Sequence, residues 1–555
     1  MQPYPARKTL PLLLALSAAF GLAACGGGNG SGSSAGKPSE TQSSELADKQ
    51  EIVINNGAEP ESLDPHKVSG VPESNALRQM FVGLTTTDND GNTAPGIAES
   101  WESADNKVWT FKLRDAKWSN GDPVTAEDFV YSMRRVTDPA TASPYASYLA
   151  DVKVANAAEI LEGKAKPETL GVKAVDPKTL EITLTEPVPY LPDVLIHTSV
   201  KPVHPATVEK FGEKWTSPAN IVVNGPYKLA AWDVNSQITL ERNSAYYDDA
   251  NTTINRAVLL PIPSPPTDIS RFKAGEIDVT YNDIPTEQFK TLQQEMGEQM
   301  KVAPYLCSYY YEFNHTKPPF DNPKVRKALQ LSLDRDTLVD KVVGRGETVA
   351  YQFTPPATQG MEQFTPEWKA WDKAKRIEEA KKLLAEAGYS TAKPLTFELL
   401  YNTNENHKKN AVAAAALWKE ALGFVNVNLV NQEWKTYLDT RRNQRQQMAR
   451  GGWCADYNEA STFLNTFKSD NSSNYGKYKS AEFDGLMKQT LAAGVSPEAR
   501  ANLYKQAEAA MDKDAATVFV FHYVNARLVK PYVAGYSVKD PMDNWQIKNW
   551  KILKH

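Results

Sequence analysis

The sequence has few of the residue patterns on which enzyme chemistry commonly depends. Its 555 residues include three cysteines and seven scattered histidines. It contains no His-Glu-x-x-His, no Cys-x-x-Cys, no phosphate-binding loop and no G-x-G-x-x-G fingerprint. The letters of a serine-hydrolase elbow occur at 32–36, but that elbow needs a strand before it and a helix after it, which a Gly- and Ser-rich segment does not supply. We therefore expect a protein that is not an enzyme and that binds no metal or cofactor.

The chain also lacks an excess of basic residues. Lys and Arg number 62 against 67 Asp and Glu, which gives a formal net charge of −5. Removal of the first 24 residues would take away two basic residues and no acidic one, so the net charge would move to −7. This balance gives no indication of nucleic acid as a partner.

The first 24 residues have the composition of an export signal. Arg7 and Lys8 supply the positive start, and the apolar stretch from Leu10 to Phe20 is too short to span a bilayer. Small residues directly precede Cys25, which resembles a bacterial lipoprotein signal and implies cleavage before Cys25 and lipidation of its sulfur. The alternative is an ordinary signal peptide that leaves a free cysteine.

Residues 25–50 are predicted to form a lipid-anchored flexible tether. They are rich in Gly, Ser and other polar residues and lack aromatic residues, so they cannot bury a core. A segment of this kind has a root-mean-square reach of about 25–30 Å. The chain beyond it is long enough for two or three domains, and it has neither an internal repeat nor an apolar run that could span a membrane.

The hydrophobic pattern beyond the tether alternates between two periods. Strand-like alternation occurs at 51–55, 109–114, 179–185, 395–401, 425–430 and 517–524, and helical periodicity occurs at 373–387, 408–422 and 497–512. Because strands and helices are interspersed, the pattern predicts α/β lobes.

The segment 450–457, Arg-Gly-Gly-Trp-Cys-Ala-Asp-Tyr, is the most informative part of the chain. Its two glycines allow another backbone to approach closely, and Trp453 offers a large flat apolar surface. Asp456 is a single carboxylate among apolar residues, which is costly in a dry site unless a cation pairs with it. The combination suits capture of a peptide whose backbone adds as a strand and whose ammonium meets the acid. The alternative is a core strand with an ordinary salt-bridged aspartate.

The longer run from Gly452 to Asn465 resembles the periplasmic oligopeptide-binding proteins, which are extracytoplasmic receptors of peptide ABC importers. Further motifs similar to that family occur in the same order: Ser62–His66, Val71–Ser74, Ala98–Trp101, Leu306–Glu312, Asn431–Lys435 and Tyr523–Pro531. The resemblance covers about residue 51 to the end. Several of these motifs also occur in the wider peptide- and nickel-binding family, whereas the Trp-Cys-Ala-Asp-Tyr run is the narrower signal.

The resemblance implies a type II, three-domain, two-lobed clamp that encloses its ligand between the lobes. The implied divisions are a discontinuous lobe I at 51–81, 205–306 and 525–555, an inserted domain II at 82–204, and a lobe III at 307–524. The two crossings near 306–307 and 524–525 would serve as hinges.

The resemblance also implies which residues hold the ligand. Asp456 would take the peptide ammonium, and Gly452 and Cys454 would offer backbone groups to the ligand strand. Val71 would do the same from the opposite lobe. The aromatic candidates for pocket walls and ends are Trp434, Trp453, Tyr145 and Tyr523, for each of which core packing is the alternative.

A peptide carboxylate needs a cation or another donor. Arg450 and His407 match family positions that meet the carboxylates of shorter and longer peptides, and an arginine can bind a carboxylate through two hydrogen bonds. Arg441 also matches a cation of the family site. The alternatives are a surface ion pair for Arg441 and a solvated helix start for His407.

The chain departs from the family pattern at two positions. Val343, with Lys341 and Arg345 nearby, aligns with a lysine of the family that meets still longer peptides, which puts the upper ligand length in doubt. His522 replaces a tyrosine beside Tyr523, and the alternation of a strand predicts that it faces away from the ligand.

A disulfide is expected between Cys307 and Cys454. Exported proteins rarely keep free thiols, Cys25 is assigned to the lipid, and the resemblance implies the same pairing. Loop-closure entropy alone could contribute about 5 kcal/mol, which native strain usually lowers. The bond would fix the Asp456 segment against the strand at Leu306–Glu312.

Together these features predict a monomeric, lipid-anchored receptor in the periplasm, with its lipid on Cys25. It would capture short oligopeptides in an extended conformation and deliver them to a membrane-embedded ABC permease. An outer-membrane or cell-surface location is left open. The alternatives are a receptor of the same fold for murein peptide, haem, dipeptide or a nickel chelate, and a surface lipoprotein with an adhesion or interaction role. Asp456 and Arg450 favour free peptides over metal chelates.

Overall fold

The computed structural model describes residues 44–555, in which strands and helices alternate along most of the length. The strands are β1 (Glu51–Asn55), β2 (Thr85–Thr87), β3 (Thr93–Pro95), β4 (Ala98–Glu102), β5 (Val108–Leu113), β6 (Val172–Asp176), β7 (Thr179–Thr183), β8 (Tyr227–Asp233), β9 (Gln237–Arg242), β10 (Arg256–Leu260), β11 (Met300–Phe313), β12 (Thr348–Val349), β13 (Leu395–Asn402), β14 (Val425–Gln432), β15 (Met448–Cys454), β16 (Thr517–Leu528), β17 (Val533–Ala534) and β18 (Lys551–Ile552). The helices are α1 (Val71–Met80), α2 (Ala126–Thr137), α3 (Tyr148–Asp151), α4 (Ala157–Leu161), α5 (Leu191–Val194), α6 (Pro205–Phe211), α7 (Pro265–Lys273), α8 (Phe289–Met296), α9 (Pro323–Ser332), α10 (Arg335–Leu338), α11 (Lys373–Glu386), α12 (Glu405–Leu422), α13 (Trp434–Arg442), α14 (Ser461–Leu464), α15 (Ala481–Gln489) and α16 (Pro497–Lys513).

The first lobe is built on two four-stranded sheets. One has the order β1-β10-β9-β8, with β1 parallel to β10, and the other is an antiparallel sheet of order β4-β5-β7-β6. In β1 the apolar residues Ile52 and Ile54 are buried while Glu51 is exposed, which is the alternation expected of a strand with one face on a core. The two sheets share an apolar core that also includes Trp550 from the C-terminal end of the chain.

The second lobe is built on a six-stranded sheet of order β12-β16-β11-β15-β13-β14. The long strands β11 and β16 pair antiparallel at its centre, and β13 runs parallel to both β14 and β15. Tyr309, Tyr311 and Phe313 of β11 pack in a second apolar core with Trp418 of α12. The sheet is therefore held by burial that is separate from the core of the first lobe.

β11 and β16 connect the two lobes. At the start of β11, Met300 packs in a small core with Phe272 of α7 and Leu292 of α8. From Cys307 onward, β11 also pairs with β15 in the six-stranded sheet. The pairing between β11 and β16 shifts register between Pro304 and Ser308. The irregular pairing thus falls where the two strands pass from one lobe to the other.

The α/β class predicted from the sequence is confirmed, and each predicted strand and helix occurs with bounds that differ by a few residues. α12 begins at Glu405, earlier than the predicted 408, because the Asn404 side chain accepts from the backbone N–H of His407 and caps the helix. β16 continues to Leu528, beyond the predicted 524, because it also pairs with the first residues of β11.

The end of the predicted tether needs correction. Residues 45–50 were included in it, but Leu46 forms a bridge with Leu553, and the Ala47 N–H donates to the Ile552 carbonyl at 2.8 Å. The Gln50 side chain donates to the same carbonyl at 2.8 Å, so this segment is fixed by backbone pairing that its composition does not reveal. The predicted signal at 1–24, the lipidation of Cys25, the elbow at 32–36 and the tether as far as 43 lie outside the described residues.

From residue 44 onward, the structure contains no helix with the length and apolar character needed to cross a membrane.

Candidate functional site

A cavity of about 210 Å³ lies between the two lobes. Ten of the eleven residues predicted to hold the ligand line it: Val71, Tyr145, His407, Trp434, Arg450, Gly452, Trp453, Cys454, Asp456 and Tyr523. The remaining one, Arg441, does not. The cavity therefore brings together residues that are far apart in the sequence and that come from both lobes.

One wall of the cavity is a strand edge with unpaired backbone groups. β15 pairs with β11 from Met448 to Cys454, whereas within residues 44–555 its other edge pairs with β13 only at Met448 and Ala449. The Ala455 N–H donates to the Leu306 carbonyl at 2.8 Å, which fixes the alternation of the antiparallel ladder. The backbone N–H and C=O groups of Gly452 and Cys454 must then point to the free edge, where a further strand can add.

Gly452 also makes room for a side chain of its own strand. A Cβ atom at this position would lie 2.8 Å from Nη2 of Arg450 and 3.6 Å from the Tyr523 hydroxyl. The Arg450 guanidinium thus lies over the backbone of residue 452, in the space that the missing side chain leaves open.

Asp456 lies at one end of the free edge without a lysine or arginine partner among the described residues. The Tyr145 hydroxyl donates to its Oδ1 at 3.0 Å, and Nε2 of His197 lies 3.2 Å from the same atom. The Ser199 N–H donates to Nδ1 of His197 at 3.2 Å, which places the imidazole proton of the neutral ring on Nε2, toward Asp456. Burial raises the pKa of Asp456 to about 8, against the opposing effect of the Tyr145 hydrogen bond.

His197 does not supply the missing positive charge. Burial, and after it the charges of Lys201 and Arg78, lower the pKa of its imidazole to about 3. The ring is therefore neutral at physiological pH, and Asp456 remains a buried acid that a ligand cation would stabilise.

Arg450 is the corresponding buried cation near the other end of the free edge. Its Nη1 donates to Asn402 Oδ1 at 3.2 Å and its Nη2 to the Tyr523 hydroxyl at 2.8 Å, while Nε is buried without a hydrogen-bond partner. These two acceptors are neutral, and within residues 44–555 no carboxylate forms an ion pair with the guanidinium. A ligand carboxylate would meet an uncompensated charge here.

His407 lies in the first turn of α12 with its ring in the cavity wall. The Nδ1 atom is buried and has no hydrogen-bond partner. Burial, and after it the charge of Arg450, hold the pKa of the ring well below its usual range. His407 therefore lies half-buried in the cavity wall rather than at a fully solvated helix start, and its neutral ring can offer a hydrogen bond to a ligand but not a charge.

Arg441 is not part of the cavity wall, which corrects the prediction from the sequence. Its Nη2 lies 2.9 Å from Oε2 of Glu312, and Nε donates to Oε1 at 3.3 Å. Both side chains are buried, so the arginine is neutralised inside the second lobe rather than at its surface. A motif match could not reveal this, because the partner comes from β11.

The aromatic candidates lie in the wall with identifiable partners. Trp434 donates to Glu73 of the first lobe at 3.2 Å, and Trp453 donates to the Thr462 carbonyl at 2.9 Å. The ring centroids of Tyr145 and Trp453 are 6.2 Å apart, so these two side chains close the Asp456 end. On the opposite lobe, Val71 is the first residue of α1 and faces the same cavity.

The two departures from the family pattern lie outside the cavity wall. Val343 is buried in the core of the second lobe, Lys341 pairs with Asp340, and Arg345 pairs with Asp283. His522 is buried with its Nδ1 3.0 Å from the Ser308 hydroxyl, so it faces away from the ligand side as strand alternation predicted.

The disulfide between Cys307 and Cys454 is present, as predicted. The two residues are direct partners in the β11–β15 ladder, with their Cα atoms 3.9 Å apart. Both line the cavity, so the bond fixes the end of β15 next to Asp456 against the centre of the sheet.

Two polar cavity residues near the Asp456 end and on α1, His197 and Arg78, are among those that the sequence did not single out. His197 reaches Asp456 only through the packing of the first lobe, and Arg78 of α1 lines the cavity while donating to Asn544 at 2.7 Å and to Asn75 at 3.2 Å. Neither belongs to a local motif that spacing or composition would single out.

Two α/β lobes enclose a cavity with a free strand edge, a buried arginine and a carboxyl that has no lysine or arginine partner in residues 44–555. These features define a clamp for a small extended solute. The chain belongs to family 5 of the bacterial extracellular solute-binding proteins, whose middle-region model matches residues 92–475.

Named relatives and solved structures are similar over nearly the whole chain. The periplasmic oligopeptide-binding protein OppA of Salmonella typhimurium is 56% identical over 512 residues, which is 92% of this chain and 94% of that protein. The crystal structure of Haemophilus influenzae OppA in complex with the peptide RPPGFSPFR has a TM-score of 0.90 at 51% identity and covers 92% of this chain and 100% of that one.

A third relative indicates the conformation of the clamp. The murein tripeptide-binding protein MppA of Escherichia coli has a TM-score of 0.90 at 40% identity, with 92% of this chain and 100% of that chain covered. The unliganded open form of MppA has a TM-score of 0.65 at 39% identity, with 93% and 99% covered. The present structure is therefore less similar to this open form than to the other MppA structure and to the peptide complex of OppA.

Proposed function

We propose that this protein is an extracytoplasmic receptor that captures short peptides and delivers them to an ABC importer. The observation that carries the proposal is the free edge of β15 between an acidic group, Asp456, and a cation, Arg450, neither of which has a charged partner within residues 44–555. The chain advances four residue steps from 452 to 456, which cover at most about 13 Å. That separation suits a short extended peptide whose ammonium meets Asp456 and whose carboxylate meets the guanidinium above Gly452. The relatives named as oligopeptide-binding proteins support the same assignment.

Recognition through main-chain groups would make the receptor tolerant of sequence. Gly452 and Cys454 would pair with the peptide backbone from the second lobe, and Val71 from the first. Side-chain pockets bounded by Trp434 and Trp453 would be filled partly by bridging water, which adapts to different residues. His407 would add a hydrogen bond to the carboxylate of a peptide one residue longer.

Capture would proceed by closure of the two lobes. We assign lobe I to 51–81, 205–306 and 525–555, domain II to 82–204 and lobe III to 307–524, with hinges at the crossings near 306–307 and 524–525. The register shift of the β11–β16 pairing supports this hinge position. Peptide that bridges the lobes raises the population of the closed form, and that form would dock on the permease.

The receptor would act as a lipid-anchored monomer. Cleavage before Cys25 and lipidation of its sulfur would hold the protein at a membrane of the periplasm or at the cell surface. Protease treatment of intact cells distinguishes these locations, since a surface protein is digested and a periplasmic one is protected.

A receptor for murein peptide is the second candidate. The similarity to MppA favours it, and a murein peptide also carries an ammonium and a carboxylate. Calorimetric titration of the unfolded and refolded protein, which has lost any peptide retained from its host, separates the two. Tighter binding of an ordinary tripeptide than of murein tripeptide supports the proposed oligopeptide receptor. Binding of murein tripeptide alone would show that the protein is a murein-peptide receptor instead.

A further inference from the structure

Among the polar contacts between the two lobes, one lies at the end of α3, outside the ligand cavity. Asp151 at the end of α3, in the first lobe, lies 2.7 Å through Oδ1 from Nζ of Lys468 in the second lobe. Its Oδ2 accepts from Asn471 Nδ2 at 2.7 Å. Beside this pair, Ser472 donates through its hydroxyl to the Pro144 carbonyl at 2.6 Å and through its N–H to the Ser147 hydroxyl at 3.1 Å. We call the group Asp151, Ser147, Lys468, Asn471 and Ser472 the clasp.

The clasp is a buried ion pair rather than a surface one. The side chains of Lys468 and Asp151 are 13% and 7% exposed. Burial opposes the charge on Lys468, but the carboxylates of Asp151 and Asp470 outweigh it and raise the pKa of the ammonium. The clasp residues do not line the ligand cavity, and a second cavity of about 20 Å³ lies between Asp151 and Asp456. That small cavity is lined by Ser147, Asp151, Asn471 and Ser472 on one side and by Tyr145, Trp453 and Asp456 on the other. The clasp thus adjoins the Asp456 end of the ligand site, but none of its residues lines the cavity that would hold the peptide.

Each half of the clasp is held in place by its own lobe. In the second lobe, the Asn474 side chain donates to the Lys468 carbonyl at 3.0 Å and to the Tyr478 carbonyl at 2.8 Å, which shapes the loop that carries Lys468 and Asn471. In the first lobe, the Tyr148 hydroxyl donates to the Val194 carbonyl at 3.0 Å and anchors α3. Closure of the lobes therefore brings together two preformed surfaces, with little further ordering of side chains.

We propose that the clasp holds the closed form together independently of the termini and the side chains of the peptide, with Asp151 and Lys468 as positioning residues for capture. The proposal rests on the proposed function. When the lobes separate, both charged groups regain water, so loss of one partner penalises the closed form and leaves the open form nearly unchanged. Substitution of either residue should thus weaken the binding of all peptides by the same factor. The loss should appear as faster dissociation of the peptide.

The test compares Asp151→Asn with Asp470→Asn. Asp470 also lies near Lys468, at 3.4 Å, but it belongs to the same lobe and is 79% exposed, so its substitution removes the same charge without touching the interface. Association and dissociation rates are measured for a tripeptide and a tetrapeptide by stopped-flow fluorescence of the refolded proteins. Lys468→Met provides the same test from the other lobe in case Asp151→Asn does not fold.

We expect Asp151→Asn and Lys468→Met to dissociate both peptides at least tenfold faster with association rates within twofold of wild type, and Asp470→Asn to match wild type. The double variant Asp151→Asn/Lys468→Met should bind more tightly than either single variant, because no unpaired charge remains buried. Equal rates for Asp151→Asn and Asp470→Asn would overturn the clasp while wild-type binding still upheld the proposed function. Failure of wild type to bind either peptide would overturn both.

Discussion

Replacement of Asp456 by asparagine should abolish tight binding of peptides while keeping the shape of the site. The Asp456 side chain is 9% exposed and accepts from Tyr145 and His197, and no lysine or arginine of residues 44–555 pairs with it. In the complex its partner would be the peptide ammonium, desolvated by closure. Loss of one member of a buried ion pair costs about 3–5 kcal/mol. At 1.4 kcal/mol for each tenfold change, the dissociation constant should rise by about two to four orders of magnitude.

Isothermal titration with one tripeptide measures this change, with Asp470→Asn as an exposed control of the same chemistry. A loss of affinity of less than tenfold for Asp456→Asn would refute the reasoning, because it would show that the peptide ammonium is not buried against residue 456.

The same substitution should stabilise the peptide-free protein in a pH-dependent manner. The pKa of Asp456 is raised to about 8, above its ordinary value of 3.8, so the folded protein binds more protons than the unfolded chain between these values. Protonation of the Asp456 carboxyl therefore contributes to the free energy of unfolding at low pH, and this contribution is lost as the pH rises toward 8. The melting temperature of Asp456→Asn should exceed that of wild type by a margin that grows from pH 5 to pH 8. A margin that shrinks with rising pH would contradict the assignment.

Three further predictions concern the rest of the site. Arg450→Met should weaken the binding of a tripeptide with a free carboxylate by at least tenfold in calorimetry. Binding of the C-terminal amide of the same peptide should change little, because the amide offers no charge to the guanidinium. Equal losses of affinity for both peptides would argue against the contact. Gly452→Ala should weaken tripeptide binding severalfold, since its Cβ would lie 2.8 Å from Nη2 of Arg450, whereas Gly485→Ala, where nothing lies within 4 Å, should match wild type; equal affinities would remove the steric role of the glycine. Substitution of Cys307 and Cys454 by serine should lower the free energy of unfolding in urea by about 2–5 kcal/mol, and an unchanged unfolding midpoint would show that the bond adds no stability.

The sequence predicted the local elements well because their signals are local. Strand alternation at Glu51–Asn55 and helical periodicity at Lys373–Glu386 follow from which side chains face a core, and both elements occur where expected. The segment around Asp456 was also recognisable, since it places a single carboxylate among apolar residues directly after β15.

Other features depend on contacts between distant parts of the chain and could not be predicted in this way. The neutralisation of Arg441 requires Glu312 on another strand, and the tautomer of His197 is set by the backbone of Ser199 only after the first lobe has folded. Residues 45–50 have the composition of a tether, yet their backbone pairs with the C-terminal segment. In each case the deciding partner is specified by tertiary packing rather than by neighbouring sequence.

The most direct test of the account is calorimetric titration of the refolded protein with one tripeptide in two forms, free and N-acetylated. Acetylation removes the ammonium and leaves the Asp456 carboxyl buried without its ligand partner. The account predicts tight binding of the free peptide and loss of binding by at least two orders of magnitude on acetylation. Equal affinity for the two forms would contradict it, because the carboxyl would then have no role in capturing the peptide.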